Sequence, residues 1–235
     1  MSPDKKDRPP AVAGTTFKLE TACNDLFATV NGWNGESDLE MFLKCGPQGS
    51  CSAAITNALA ILFSIARRCQ VPLLPIAKLF SRHGGLCNKA ISSGTSTCIN
   101  SLGELLLELA ATEDDAEEVG TPVKMEGSFR VRFTGCGPIM VSCGNDSNCL
   151  RYVHAQLAKT NTCANTITSI LSELVSLMLA FGVESEKIIK AIRGISCPSA
   201  RHDNSSCLDA IGRAISDHVQ PPDLSEAENG MVEEQ

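Results

Sequence analysis

Gly194-Ile195-Ser196-Cys197-Pro198, a polar loop through Ser206, and then Cys207-Leu208-Asp209-Ala210-Ile211-Gly212-Arg213-Ala214-Ile215 form the stretch on which the reading of this chain turns. Two cysteines bracket Arg201, His202 and Asp203, and an amphipathic helical pattern begins at the second of them. An earlier segment follows the same plan: Gly85-Leu86-Cys87, a Ser/Thr/Gly-rich loop, then Cys98-Ile99-Asn100-Ser101-Leu102-Gly103-Glu104-Leu105-Leu106. The echo marks an internal duplication.

Working outward, an offset of 113 pairs Thr21 with Thr134 and Cys23 with Cys136. An offset of 112 pairs Cys51 with Cys163, Ile55 with Ile167, Leu59 with Leu171 and Leu62 with Leu174. Further on, Cys87 meets Cys197, Cys98 meets Cys207 and Gly103 meets Gly212. Each copy opens with alternating runs that predict a β-hairpin: Thr16–Thr21 with Leu26–Val30, and Phe129–Phe133 with Pro138–Cys143. A third strand is expected at Leu39–Leu43 and at Leu150–Leu157, with Asn31-Gly32-Trp33-Asn34-Gly35 as a turn. Apolar residues at helical spacing then predict a long buried helix over Cys51–Cys69 and another from Cys163 to Phe181, the latter closed by Gly182. Shorter helices are expected to Phe80, over Ile99–Leu109, over Ser185–Arg193 and over Leu208–Val219. The fold class is therefore α+β, with two tandem repeats, each a small antiparallel sheet packed with about three helices. Residues 1–15 read as a disordered leader, 16–110 as the first repeat, 111–128 as an acidic linker, 129–219 as the second repeat and 220–235 as an acidic tail.

The duplication sorts the twelve cysteines. Cys45 falls opposite Leu157, Cys69 opposite Phe181 and Cys143 opposite Val30, so these three read as small apolar residues in the core. Cys149 stands in an expected turn with no counterpart. The shared set is Cys23, Cys51, Cys87 and Cys98 in one copy and Cys136, Cys163, Cys197 and Cys207 in the other. Cys51, Cys98, Cys163 and Cys207 fall at expected helix starts, where free N–H groups and the helix dipole favour thiolate. Four thiolates converging in one domain suit tetrahedral zinc or an iron–sulfur cluster. No C-x-x-C knuckle supports this, and two other readings stay open. One is a redox dithiol formed by Cys197 and Cys207, with Cys87 and Cys98 as its counterpart. The other is a set of inert buried thiols. His202 reads as a surface loop residue, His154 as a strand residue of structural role, and His83 and His218 as ordinary surface histidines.

Composition bounds the function further. Of 235 residues, 43 % are apolar and 20 % charged, which suits a globular chain of one or two domains. The net charge of −7 is a property of the flanks. Thirteen of the 27 acids lie in residues 1–15, in the linker and in the tail, and setting them aside with Lys5, Lys6, Arg8 and Lys124 leaves 14 acids against 16 bases. There is no basic stripe interleaved with aromatics, so nucleic acid is not an expected partner. The apolar run Ala53–Ala66 is too short to cross a bilayer, and the N-terminal residues lack the apolar segment of a secretion signal. A soluble cytoplasmic protein is expected, in which metal or redox chemistry is the better reading of many cysteines than disulfides.

The motifs Gly194-Ile195-Ser196-Cys197-Pro198 and Ser206-Cys207-Leu208-Asp209-Ala210-Ile211, with Thr134-Gly135-Cys136-Gly137 and Phe181-Gly182-Val183, resemble the TSCPD domain. That domain ends adenosylcobalamin-dependent ribonucleotide reductases and also occurs in small stand-alone four-cysteine proteins. The resemblance covers almost all of the second repeat. The first is similar more loosely, through Thr21-Ala22-Cys23 and Gly49-Ser50-Cys51. It departs from the family where Leu208 and Ile99 stand in place of proline and where Asn100 replaces the aspartate. The resemblance implies an accessory role, because a reductase barrel needs several hundred residues that this chain lacks. The expected function is a non-catalytic zinc or iron–sulfur protein serving a ribonucleotide reductase or another protein of nucleotide metabolism. Any enzymatic activity would be reductase-related, and the two repeats are expected to pack on each other.

Overall fold

A computed structural model describes residues 10–22, 25–33, 38–47, 50–82, 88–94, 96–111, 126–146, 149–159, 162–198 and 206–220, with the backbone alone for Cys51, Ser52, Asn88, Lys89, Glu126 and Cys163. Two antiparallel sheets follow from the two alternating blocks. The first has the order β1 (Gly14–Leu19), β2 (Leu26–Trp33), β3 (Asp38–Cys45); the second has β4 (Glu126–Thr134), β5 (Gly137–Asp146), β6 (Cys149–Leu157). One face of each sheet is dry. Leu26, Ala28, Val30, Met41, Leu43 and Cys45 are buried in the first, as are Ile139, Val141, Cys143, Val153, Ala155 and Leu157 in the second.

Helices complete each unit: α1 (Cys51–Arg68), α2 (Leu73–Ser81), α3 (Asn88–Ser93) and α4 (Cys98–Ala110), then α5 (Cys163–Ala180), α6 (Ser185–Ile192) and α7 (Cys207–Val219). The expected α+β repeats are therefore present, and the match extends to length: α1 and α5 have 18 residues each, α4 and α7 have 13 each. Four details differ from the sequence reading. Asn31-Gly32-Trp33 is strand, paired with Glu40, Leu39 and Asp38, because the hairpin extends past the last apolar alternation. Cys149 begins β6 opposite Asp146. The loop after Cys87 holds α3, which has no counterpart among the described residues of the second copy. Strands β1 and β4 start inside the segments read as leader and linker, since backbone pairing with the next strand carries polar residues along.

Both long helices end in the same way. After α5, Gly182 at φ +80 lets Val183 N–H reach Met178 O and Gly182 N–H reach Leu179 O, a Schellman closure. After α1, Val71 N–H bonds Ala66 O and Gln70 N–H bonds Arg67 O, but the left-handed residue is Gln70 at φ +64. A side chain there carries a steric cost that glycine avoids.

Helix α1 covers β3 and α5 covers β6, and α1 and α5 pack directly on each other. Reciprocally, α2 touches α5 and α6 touches α1, so the copies meet like the halves of a two-fold dimer. A single apolar core runs through both. The edge strand β6 is also stitched to α5 by side chains. Ser172 Oγ accepts Ala155 N–H, Ser176 Oγ accepts Val153 N–H, and Asn165 Oδ1 accepts Leu157 N–H. Those polar residues of α5 satisfy strand donors that no further strand pairs among the described residues. In the first copy Ser64 Oγ does the same at Met41 N–H.

The shared glycines mark close helix crossings. A Cβ on Gly103 of α4 would stand 2.4 Å from Ser81 N, a backbone atom at the end of α2, whereas one on Gly212 of α7 would meet Arg193 Cγ at 2.7 Å. Backbone does not yield and a long side chain does, so Gly103→Ala should destabilise by about 1–3 kcal/mol and Gly212→Ala by clearly less, read from urea midpoints at unchanged m. Gln70→Gly should raise stability by about 0.5–1 kcal/mol by the same measurement.

Candidate thiol sites

Each long or terminal helix starts on a hydroxyl residue followed by cysteine. Ser50, Thr97, Thr162 and Ser206 are the N-caps of α1, α4, α5 and α7, and each side chain accepts the N–H three residues on, from Ala53, Asn100, Asn165 and Asp209. Cys51, Cys98, Cys163 and Cys207 therefore occupy the first helical turn in both copies, as expected from the sequence.

In the second repeat these starts lie at one end of the sheet. The β4–β5 hairpin turns at Gly135-Cys136, and Thr134 Oγ1 donates to Gly137 O at 2.8 Å while accepting Cys136 N–H at 3.2 Å. The same hydroxyl lies 3.5 Å from Cys207 Sγ. Thr134 thus joins the hairpin turn to the start of α7. The start of α5 comes to this end through β6: Leu157 pairs with Ile139, Ala158 N–H bonds Pro138 O, and Leu157 N–H bonds Asn165 Oδ1. The loop after α6 comes to it through Ser206, whose hydroxyl donates to Ile195 O. Cys136, Cys163, Cys197 and Cys207 are so placed on four segments of one end.

Asp209 holds that loop. Its side chain is 3 % exposed; Oδ1 accepts Gly194 N–H at 2.8 Å and Oδ2 accepts Arg213 Nε at 2.8 Å. In the first repeat the same two helix positions carry Asn100 and Glu104, joined by an Asn100 Nδ2 to Oε1 bond of 2.9 Å. The i, i+4 link persists with its chemistry changed, an amide donor and a carboxylate standing where the second repeat has a carboxylate and a guanidinium.

Of the first-repeat set, Cys23 and Cys87 lie outside the described residues, as do the side chains of Cys51 and Cys163 and the loop bearing Arg201, His202 and Asp203. Among the described residues no three His, Cys, Asp or Glu side chains form a group that would hold a metal ion. Cys136, Cys197 and Cys207 by themselves therefore do not make a finished three-thiol site. The donor chemistry suits a soft metal, and the sulfurs of Cys23, Cys51, Cys87 and Cys163 lie outside what is described.

Two residues read otherwise in the sequence take part in specific contacts. Cys45, expected to be an inert core filler, is buried at the end of β3, but its thiol is hydrogen-bonded to Cys98. That bond holds Cys45 at about 7, against burial, which pushes the other way. Cys143 behaves as a core thiol should: burial drives it up to about 12, countered in part by Arg130. The internal alignment carried no signal for this contact, since Cys69 and Cys143 are mismatched in the same way. His218, read as an ordinary surface residue, lies half-buried between Ser128 Oγ at 2.6 Å from Nδ1 and Asn145 Oδ1 at 2.7 Å from Nε2. It ties α7 to β4 and β5 beside the Arg132–Asp217 ion pair. His154 stacks on Tyr152, with ring centroids 6.4 Å apart, consistent with its structural reading.

A cleft of about 440 Å³ lies at the opposite end of the second sheet, lined among others by Asn145, Cys149, Arg151, Glu184 and His218. Cys136, Cys197 and Cys207 are not among the described residues that line it. No helix among the described residues is long and apolar enough to cross a membrane.

The TSCPD domain family matches residues 117–219, which is the second repeat with the end of the linker before it. The first repeat lies outside that match. No curated protein and no solved structure matches the chain.

Asp209→Ala strands the Gly194 donor and frees the loop carrying Cys197, and should cost about 1–3 kcal/mol, whereas Asn100→Ala should cost under about 0.5, both by urea titration. His218 has its pKa lowered, first by burial and then by Arg130. The folded protein therefore binds that proton less readily than the unfolded chain, and the stability it contributes is present above the ordinary histidine value of 6.5 and lost as pH falls through the lowered one. Thermal melts at descending pH should show a fall over that window that is smaller in His218→Gln.

Proposed function

We propose that the chain is a non-catalytic metal-binding protein built from two TSCPD-like repeats, accessory to a ribonucleotide reductase or another protein of nucleotide metabolism. The observation that carries this reading is the fourfold hydroxyl-cysteine helix start, with the second repeat's cysteine-bearing segments led to one end of the sheet by Thr134, Ser206 and Asn165. Cys136, Cys163, Cys197 and Cys207 would hold one ion or cluster, and Cys23, Cys51, Cys87 and Cys98 a second. Thiolates at helix starts are stabilised by the free N–H groups of the first turn, which also suits them to ligate zinc or iron. A bound zinc or cluster would cross-link segments that the apolar core alone does not tie together, and ligation would add to folding stability.

The reductase link rests on the family to which residues 117–219 are matched and on the resemblance in its motifs. Four cysteines without a paired carboxylate or a Ser/His/Asp set support ligation rather than turnover.

Protein purified without oxygen should carry zinc, or a brown iron chromophore, by elemental analysis and absorption. Cys207→Ser and Cys136→Ser should each lower bound metal and melting temperature together, and a chelator should reproduce the loss in the unmutated chain. Metal-free protein whose melting temperature ignores both chelator and the two substitutions would sink the reading. Cys149→Ser serves as the neutral control.

A further inference from the structure

We propose that Cys45 and Cys98 form a redox-active dithiol of the first repeat, which a small disulfide of the glutathione class oxidises to an intramolecular disulfide. The two thiols meet although they come from separate elements. Cys45 ends β3, opposite Leu26, and Cys98 is the first residue of α4; their side chains are hydrogen-bonded to each other. Cys45 is 5 % exposed and part of the apolar core, and Cys98 packs on that core while remaining half-open. Both backbones are held in place, Cys45 by its strand ladder and Cys98 by the Thr97 cap, so the sulfurs are kept near each other. Disulfide formation needs such an approach of fixed chains.

The strand position differs between the repeats. In the second, Leu157 stands where Cys45 does, and the neighbour of Cys207 Sγ is Thr134 Oγ1. A hydroxyl oxygen cannot become a disulfide partner. The first repeat thus carries a thiol on a strand position that the second fills with leucine.

Differences in exposure order the chemistry. Cys98, as the more open thiol, attacks one sulfur of the small disulfide as its thiolate; that S–S bond breaks and one small thiol leaves with a proton. Cys45 then gives up its proton and attacks Cys98 Sγ, expelling the second small thiol. The two protein thiols lose two electrons in all, and the small disulfide gains them as it becomes two thiols. Because Cys98 is also among the ligands proposed for the first repeat, oxidation would withdraw it from a metal. The pair itself does not depend on that reading, and its test uses chelator-treated protein, so failure of metal binding leaves it untouched.

Full-length chain, reduced and stripped of metal, is incubated in glutathione buffers of rising oxidised fraction; free thiols are blocked, and peptides are mapped before and after reduction. The expected product is a Cys45–Cys98 linkage that forms ahead of any other and reverses when reductant is added. In Cys45→Ala and Cys45→Leu, the resolving thiol is gone, and glutathione should accumulate on Cys98 about tenfold above the unmutated level. The linkage in the unmutated chain is read without either variant, so poor folding of one does not blunt the test. Cys149, exposed on β6, should take glutathione alone in every case. A Cys197–Cys207 linkage in place of the Cys45–Cys98 one, or no Cys45–Cys98 linkage at any glutathione ratio, overturns the proposal.

Discussion

Everything in this structure leans on the contact of α1 with α5. Each sheet offers one dry face, and its own long helix covers it, but that helix is apolar on more than one side. Ile55, Ala58, Leu59, Leu62, Phe63 and Ala66 are buried along α1, and Ile167, Ile170, Leu171, Leu174, Val175 and Met178 along α5. A three-stranded sheet with its own helices leaves the second face of the long helix wet. Only the other copy covers it, and burying side chains of this size is worth about 1.5–3 kcal/mol each. The duplication is therefore a thermodynamic unit as well as a sequence pattern, and the reciprocal touches of α2 on α5 and α6 on α1 extend the same interface.

Against that rigid centre the helix starts become positioning devices. A hydroxyl cap fixes where a helix begins and so where the cysteine behind it stands. Thr134 shows how little more is needed: one hydroxyl reaches the hairpin carbonyl, the Cys136 amide and the Cys207 sulfur. Asp209 does comparable work on the loop, turning a buried charge into two anchors. The first copy keeps a threonine, Thr21, at the position of Thr134, but it has Asn100 for the aspartate and, at the strand position of Leu157, a thiol beside Cys98.

The fold was mostly legible. Period-two alternation and helical spacing identify all six strands and six of the seven helices among the described residues, because each element buries one face and the pattern records it. The miss was α3, six residues with Asn88, Lys89, Ser92 and Ser93 and little apolar face to announce it. The extension of β2 through Asn31-Gly32-Trp33 was hidden for a related reason: ladder hydrogen bonds come from the backbone and need no apolar side chain. At the sites, the internal alignment separated the shared cysteines from the rest and put four of them at helix starts. It put Cys45 correctly in the core but gave no sign of its contact with Cys98, and it undervalued His218, since a residue's partner across the core leaves no mark in its own neighbourhood.

What the sequence by itself determined is the local and the periodic: the duplication, the faces of strands and helices, and the Ser/Thr-Cys caps, all of which depend on residues within a turn or two of each other. What only the tertiary structure decided is which side chains from distant segments meet. Cys45 faces Cys98, His218 joins Ser128 and Asn145, and Thr134 reaches Cys207, because the strand ends and helix starts are brought together by the burial of α1 against α5 and of each sheet beneath its helix. Such meetings are set by the packing of the whole core, a property that no short window of the chain contains.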